Sequence, residues 1–153
     1  MLNKEELLRF LLKARTKTYA GAGGKVQPAF GGSNQLEYRE GDWVYRDVYY
    51  TGNRIFMGLE AIYNRDQAVW SMSYYGSFKE MTEEELDKIL REALMENWEN
   101  TRIWKKVEWE KDGYKYICQP DFEGSIDKLA GLETISKEGK EIYKFFYAGG
   151  ILK

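Results

Sequence analysis

The 153-residue chain contains no histidine and only one cysteine, Cys118. Without histidine, the sequence excludes Ser-His-Asp and Cys-His nucleophile systems, histidine general bases and histidine-ligated metals. A single cysteine forms no disulfide within the chain, and its aromatic neighbours favour a buried, inert thiol. Chemistry would have to rest on carboxylates, Lys, Arg, Tyr or this thiol, so we expect binding without catalysis and no cofactor or metal.

The sequence also has little of what membranes and nucleic acids recognise. It has neither a long apolar run nor a signal-peptide pattern, which predicts a cytoplasmic protein that does not insert into a membrane. Its 23 Lys and Arg residues nearly balance its 25 Asp and Glu residues, and the net charge is −2. That charge supplies no overall attraction to phosphates, so direct nucleic-acid binding is disfavoured.

Aromatic residues are abundant instead. The chain has 12 Tyr, 5 Trp and 7 Phe residues, and these types favour the half-buried surfaces of β-sheets. The length fits a single domain, residues 1–153, that buries a sizeable core. The composition therefore predicts a strand-rich domain.

Two stretches of the sequence resemble each other. GLEAIYNRDQAVWSMSYYG begins at Gly58, and GLETISKEGKEIYKFFYAGG begins at Gly131, which is an offset of 73 residues without a gap. Self-similarity at a fixed period is typical of duplicated supersecondary units. We therefore expect two repeats within the domain, at about 1–78 and 79–153.

Each expected repeat begins with an amphipathic helix. Asn3 with Glu6, and Thr82 with Glu85, have capping-box spacing. Strands separated by short polar turns follow each helix, at 36–40, 43–50, 54–63 and 67–75, and again at 103–110, 114–119, 129–136 and 140–148. Short turns predict antiparallel hairpins. The predicted fold class is α+β, with two pseudo-symmetric helix-plus-four-strand (αββββ) repeats that form a curved, largely antiparallel sheet with the helices packed on it.

Alternation along the strands predicts a binding site on the first repeat. Residues two apart share a face of a strand, which gathers aromatic rings around two carboxylates. An aromatic, acidic cleft suits a cationic or heterocyclic small molecule. The predicted floor is Glu60 with Asp47, the walls are Trp43, Tyr45, Trp70 and Tyr74, and the rim runs from Tyr19 to Lys25 in a glycine-rich loop that the second repeat lacks.

Three alternatives remain open at this point. Glu60 and its repeat counterpart Glu133 can be structural, each held by a Tyr hydroxyl, an Arg or an amide. A small carboxylate-dependent enzyme would use Glu60 and Asp47 as an acid–base pair. A protein-interaction module would instead show a broad exposed apolar patch and no cleft.

Several motifs resemble a family of bacterial and archaeal domains of unknown function. They are Tyr19-Ala20-Gly21, Tyr45-Arg46-Asp47-Val48-Tyr49, Phe56-Met57-Gly58, Val69-Trp70-Ser71-Met72 and Tyr147-Ala148-Gly149-Gly150. Domains of that family often follow an Xre-type helix-turn-helix in regulators. The resemblance implies a ligand-sensing or regulatory domain. Besides a small molecule, we expect its partner to be a second copy of the chain or a partner regulator. We expect this chain to lack that helix-turn-helix, because its two expected helices are separated by a whole set of strands.

Overall fold

The computed structural model describes residues 2–103 and 105–152, which form two helices and nine strands. The helices are α1 (Lys4–Lys17) and α2 (Glu83–Glu96). The strands are β1 (Lys25–Val26), β2 (Asn34–Glu40), β3 (Trp43–Thr51), β4 (Ile55–Asn64), β5 (Gln67–Phe78), β6 (Val107–Lys111), β7 (Tyr114–Pro120), β8 (Lys128–Lys137) and β9 (Lys140–Ile151).

Side-chain caps fix where both helices begin. Asn3 Oδ1 accepts hydrogen bonds from the amides of Glu5 and Glu6, at 3.1 and 3.3 Å. Thr82 and Glu85 form the predicted capping box, because the Glu85 amide donates to Thr82 Oγ1 at 3.1 Å and the Thr82 amide donates to Glu85 Oε2 at 2.7 Å. These bonds satisfy amides that have no partner within the helix.

All nine strands belong to one sheet, in the order β1-β2-β3-β4-β5-β9-β8-β7-β6, and every neighbouring pair is antiparallel. The sheet and the two helices confirm the α+β, antiparallel part of the predicted fold class. The sheet consists of two sets of consecutive strands, β1 to β5 and β6 to β9. The two sets meet where β5 pairs with β9, and Tyr74 lies opposite Tyr147 there. The division into repeats at 1–78 and 79–153 stays a prediction.

Two segments differ from the predicted strands. The strand expected at 103–110 begins only at Val107, because residues 101–103 form a turn whose side chains are buried. Trp104, within that expected strand, lies outside the described residues. The glycine-rich loop contributes the short strand β1, in which Lys25 pairs with Leu36. A two-residue strand gives no periodic signal that a sequence reading would detect.

The two faces of the sheet have different surroundings. One face packs against both helices and forms the core, which includes Tyr45, Ile62, Trp70, Met72, Tyr116, Ile135, Tyr143 and Phe145 from the sheet and Leu7, Leu11, Leu86 and Leu90 from the helices. The opposite face keeps several large apolar side chains exposed. Neither helix is long and apolar enough to cross a membrane, judged over residues 2–103 and 105–152.

We expect Thr82→Ala to lower the free energy of unfolding by about 1 kcal/mol, because a helix N-cap of this type contributes roughly that much. Urea unfolding followed by circular dichroism measures the change. Thr51→Ala, at the exposed end of β3, is the control and should have a smaller effect. Equal losses in the two variants would contradict a capping role for Thr82.

Candidate functional site

A cleft lies between the helices and the buried face of the sheet, and it encloses about 120 Å³. One water molecule needs roughly 10–15 Å³ on this measure, so the cleft has room for several waters or a small organic group. Its walls come from the last turn of α1, from β3, β4, β5, β9 and α2, and from the segments that follow the two helices. Nine of the 26 lining residues are aromatic, among them Tyr19, Tyr49, Phe56, Tyr74, Tyr143 and Phe145.

Glu60 lies at the floor of this cleft, and both of its carboxylate oxygens accept hydrogen bonds from two partners. Arg15 donates to Glu60 Oε2 from Nη2 at 2.7 Å and from Nε at 3.2 Å. The Tyr45 hydroxyl donates to Glu60 Oε1 at 3.0 Å. Only 3% of Glu60 is exposed, so it depends on these bonds to compensate for its lost hydration.

Glu133 has the same type of environment in the second half of the sheet. Arg102 Nη2 donates to Glu133 Oε1 at 2.7 Å, and the Tyr116 hydroxyl donates to the other carboxylate oxygen. The Arg102 guanidinium lies 4.3 Å from the centroid of the Phe145 ring. These contacts favour the structural interpretation of both glutamates, since each is neutralised by its own arginine.

Asp47 is the exception among the buried carboxyls. It lies directly opposite Glu60 in the register of β3 and β4 and is almost fully buried. The Tyr74 hydroxyl donates to Asp47 Oδ1 at 2.5 Å. Within residues 2–103 and 105–152, no Lys or Arg nitrogen lies within 4.0 Å of its carboxylate. Burial raises the pKa of Asp47 to about 7, and the neighbouring Glu60 charge contributes to this increase.

The buried charges do not balance. Three carboxyl groups, those of Asp47, Glu60 and Glu133, are buried near two guanidiniums, those of Arg15 and Arg102. The two glutamates neutralise the two arginines. One net negative charge remains when Asp47 is ionised, and Asp47 lines the cleft. The electrostatics of the cleft therefore favour a group that brings one positive charge or a proton.

The corresponding position in the second half carries no such charge. Cys118 lies opposite Glu133 in the register of β7 and β8, as Asp47 lies opposite Glu60. Its Sγ is 3.6 Å from the hydroxyl of Tyr147. Burial raises the pKa of the Cys118 thiol, so this position stays neutral at physiological pH. The two halves thus differ in charge at the two positions that face the glutamates.

The rim residue Tyr19 is bound to α2. Its hydroxyl donates to Asp87 Oδ1 at 2.6 Å, and Arg91 Nε donates to the Tyr19 carbonyl oxygen at 2.9 Å. The Arg91 guanidinium also lies 4.8 Å from the centroid of the Tyr19 ring. The loop that follows is tightly folded, because a Cβ atom at Gly21 would lie 2.0 Å from the carbonyl oxygen of Thr16. Tyr19 is thus a fixed wall, and the loop is compact.

Five of the eight predicted site residues line the cleft, and three lie elsewhere. Trp43 stacks on Phe10 with ring centroids 5.6 Å apart. Trp70 is buried and donates from Nε1 to the carbonyl oxygen of Ile126 at 3.1 Å. Lys25 is exposed on β1. Those that line the cleft are Tyr19, Tyr45, Asp47, Glu60 and Tyr74.

Sequence reasoning missed the two arginines that complete the site. Arg15 belongs to the last turn of α1 and follows buried Ala14. Its position next to the apolar stripe of the helix indicates that its side chain can reach the sheet. Arg102 lies in the turn after α2. It carries no comparable signal, because its pairing with Glu133 joins residues 31 positions apart. Phe56 and Phe145 also line the cleft and were not among the eight predicted site residues.

Comparison with known proteins finds one family. The family described as "Domain of unknown function (DUF5680)" matches residues 47–152. The matched segment begins at Asp47 and includes both buried glutamates, but it leaves out α1 and Arg15. No curated protein and no solved structure matches the chain.

We expect Glu133→Gln to destabilise the protein by roughly 3–5 kcal/mol, because it leaves the buried Arg102 without its charge partner. Chemical unfolding measures the loss. The control is Glu92→Gln, which breaks the exposed Glu92–Lys111 ion pair of 2.8 Å and should barely change the unfolding midpoint. A loss in Glu133→Gln no larger than that of the control would contradict the role assigned to this pair.

The raised pKa of Asp47 also predicts a pH dependence of stability. Between about pH 4 and pH 7 the folded protein retains a proton on Asp47 that the unfolded chain releases, so the stability of the wild type falls as pH rises. Asp47→Asn removes this dependence. The variant should therefore gain stability relative to the wild type across this interval, by a few kcal/mol at about 1.4 kcal/mol per pKa unit. Unfolding free energies measured from pH 4 to pH 8 test this, and parallel curves would contradict it.

Proposed function

The chain belongs to the DUF5680 family of domains of unknown function, and we propose that it binds or senses a small organic cation in the cleft around Asp47. The observation that carries this proposal is the unbalanced charge of Asp47. A carboxylate buried without a cation is costly. A ligand with one ammonium or amidinium group would supply the missing charge and donate hydrogen bonds to the carboxylate.

The aromatic lining supports the same class of ligand. The rings of Tyr74 and Phe145 stack with their centroids 5.3 Å apart, and Phe56 lies 6.0 Å from Phe145. Ring faces attract cations and pack against planar apolar groups. A protonated amine attached to an aromatic or heterocyclic ring would use both features, with the amine at Asp47 and the ring among these side chains.

The proposal places the ligand on the first of two αββββ repeats. The register of β5 and β9 supports the duplication, because Tyr74 pairs with Tyr147, its counterpart at the offset of 73. The same register pairs Trp70 with Ile151 and Phe78 with Tyr143, so residues related by that offset exchange partners. A pseudo-twofold axis would pass between Tyr74 and Tyr147. Asp47 would then mark the half that binds.

Binding without catalysis is the better-supported alternative. An acid–base mechanism would need two carboxyl groups that divide the work, but the carboxylate of Glu60 is held by Arg15 and Tyr45. We further propose a cytoplasmic, regulatory role, in line with the resemblance to domains that follow an Xre-type helix-turn-helix. A regulatory domain of this kind would transmit ligand binding to a partner or to a second copy.

Small aromatic cations test the proposal directly. We expect benzylammonium and benzamidine to raise the melting temperature of the wild type, because ligands that bind the folded state stabilise it. Neutral benzyl alcohol and anionic benzoate, which have the same ring, should have little effect. Stabilisation by all four compounds alike would contradict recognition of positive charge.

The substitution Asp47→Asn should weaken binding of these cations by roughly 1–3 kcal/mol, the range for losing a charged hydrogen-bond partner. Isothermal titration calorimetry measures the affinity, and Asp42→Asn, which changes an exposed carboxylate paired with Arg65, is the matched control. Wild-type affinity should increase from pH 6 to pH 8, because Asp47 ionises in this interval. Unchanged affinity in Asp47→Asn would place the ligand elsewhere.

A further inference from the structure

The face of the sheet opposite the helices carries a row of large apolar side chains. Tyr50 lies opposite Met57, and Met57 lies opposite Tyr75 on the next strand. The row continues from Tyr75 to Phe146 and from Phe146 to Leu132. It therefore crosses five adjacent strands, β3, β4, β5, β9 and β8. We call these five side chains the ridge.

The ridge is exposed over a substantial area. Tyr50, Met57, Tyr75 and Phe146 are between 39% and 49% exposed, and the flanking Ile55 and Leu59 on the same face are 39% and 43% exposed. A fully covered aromatic side chain buries roughly 150–250 Å², so these six residues together expose on the order of 500 Å². A patch of that size is at the upper end for a monomer and often marks an interaction site.

The row of side chains beside the ridge is small, and we call this row the groove. In the next row of the same face, Ser73 lies opposite Ala148, and Ala148 lies opposite Ala130. These three small residues leave the surface low next to Tyr75 and Phe146. A ridge and a groove that lie side by side on one surface are complementary to a second copy rotated by a twofold axis, since each ridge then enters the other groove.

We propose that the ridge and groove form a symmetric interface between two copies of this chain. Sheets pack face to face at about 10 Å with their apolar side chains interdigitated. A standard interface covers about 800 Å² on each partner, with an apolar centre and a polar rim. The ridge supplies the centre, and polar residues on the same face, such as Arg46 and Lys144, supply the rim.

The charges on this face favour a copy of the chain over a strongly charged partner. Arg46 is paired with Glu37 at 3.2 Å, and Lys144 is paired with Glu141 at 3.1 Å. The face therefore presents no large field of one sign that would attract a polyanion or polycation. The interface also lies on the side of the sheet away from the cleft. The dimer proposal therefore does not rest on the proposed ligand, and both clefts of the dimer stay open.

Sedimentation equilibrium of the full chain tests the proposal. We expect the wild-type mass to rise to twice the chain mass as concentration increases from about 1 µM to about 200 µM, as mass action requires. Phe146→Glu should remain monomeric over this range, because it places a charge at the centre of the interface. Phe30→Glu makes the same change at another exposed phenylalanine, away from the sheet, and should dimerise like the wild type.

A second variant and a second measurement distinguish loss of dimerisation from misfolding of a variant. Met57→Lys disrupts the ridge on a different strand, and circular dichroism checks that each variant folds. Isotope-filtered NMR of a mixed labelled and unlabelled wild type detects contacts between copies at the ridge rings without any substitution. A wild type that is monomeric throughout, folded ridge variants that dimerise normally, or intermolecular contacts confined to other surfaces would each overturn the proposal.

Discussion

Two buried ion pairs hold the helical layer to the sheet. Glu60 and Glu133 project from the covered face of the sheet, and each is matched by an arginine that comes from a helix or from the turn after one. A carboxylate in that position is tolerated only with a well-placed cation and further hydrogen bonds. The end of α1 and the turn after α2 are thereby fixed in place. Arg15 also donates to the carbonyl oxygen of Thr101 at 3.4 Å, which joins the two arginine-bearing segments.

The chemistry of the cleft follows from the same constraint. Arg15 and Arg102 each pair with a glutamate, and Asp47, judged over residues 2–103 and 105–152, has no ion-pair partner of its own within 4.0 Å. Strand pairing sets Asp47 beside Glu60, where directly opposed like charges are unfavourable. The resulting acid is weak, partly protonated near neutral pH and surrounded by rings. The pKa of Asp47 therefore depends on the two Arg–Glu ion pairs, in which Asp47 itself takes no part.

Local patterns predicted much of the fold but only part of the site. The capping box at Thr82 and the turns between strands are written in adjacent residues, so a sequence reading finds them. Alternation placed Tyr45, Asp47 and Glu60 correctly on one face of the sheet. Alternation also grouped Trp43 and Trp70 with them. It shows which face of the sheet a side chain is on, but it does not show which part of that face the helices cover. Arg102 required a contact between distant segments, which no local pattern encodes.

The pairing of β5 with β9 has a consequence for synthesis of the chain on the ribosome. Strands β1 to β5 can pair as soon as residue 78 has emerged, but β9, the partner of β5, is made only after β6, β7 and β8. Until then β5 is a 12-residue edge with unpaired amides and carbonyls. Such an edge invites pairing with another nascent chain. Its outward residues Ser71, Ser73 and Ser77 make the unpaired strand less prone to aggregate than a fully apolar one. Correct folding requires β9 to pair with β5 before another nascent chain does.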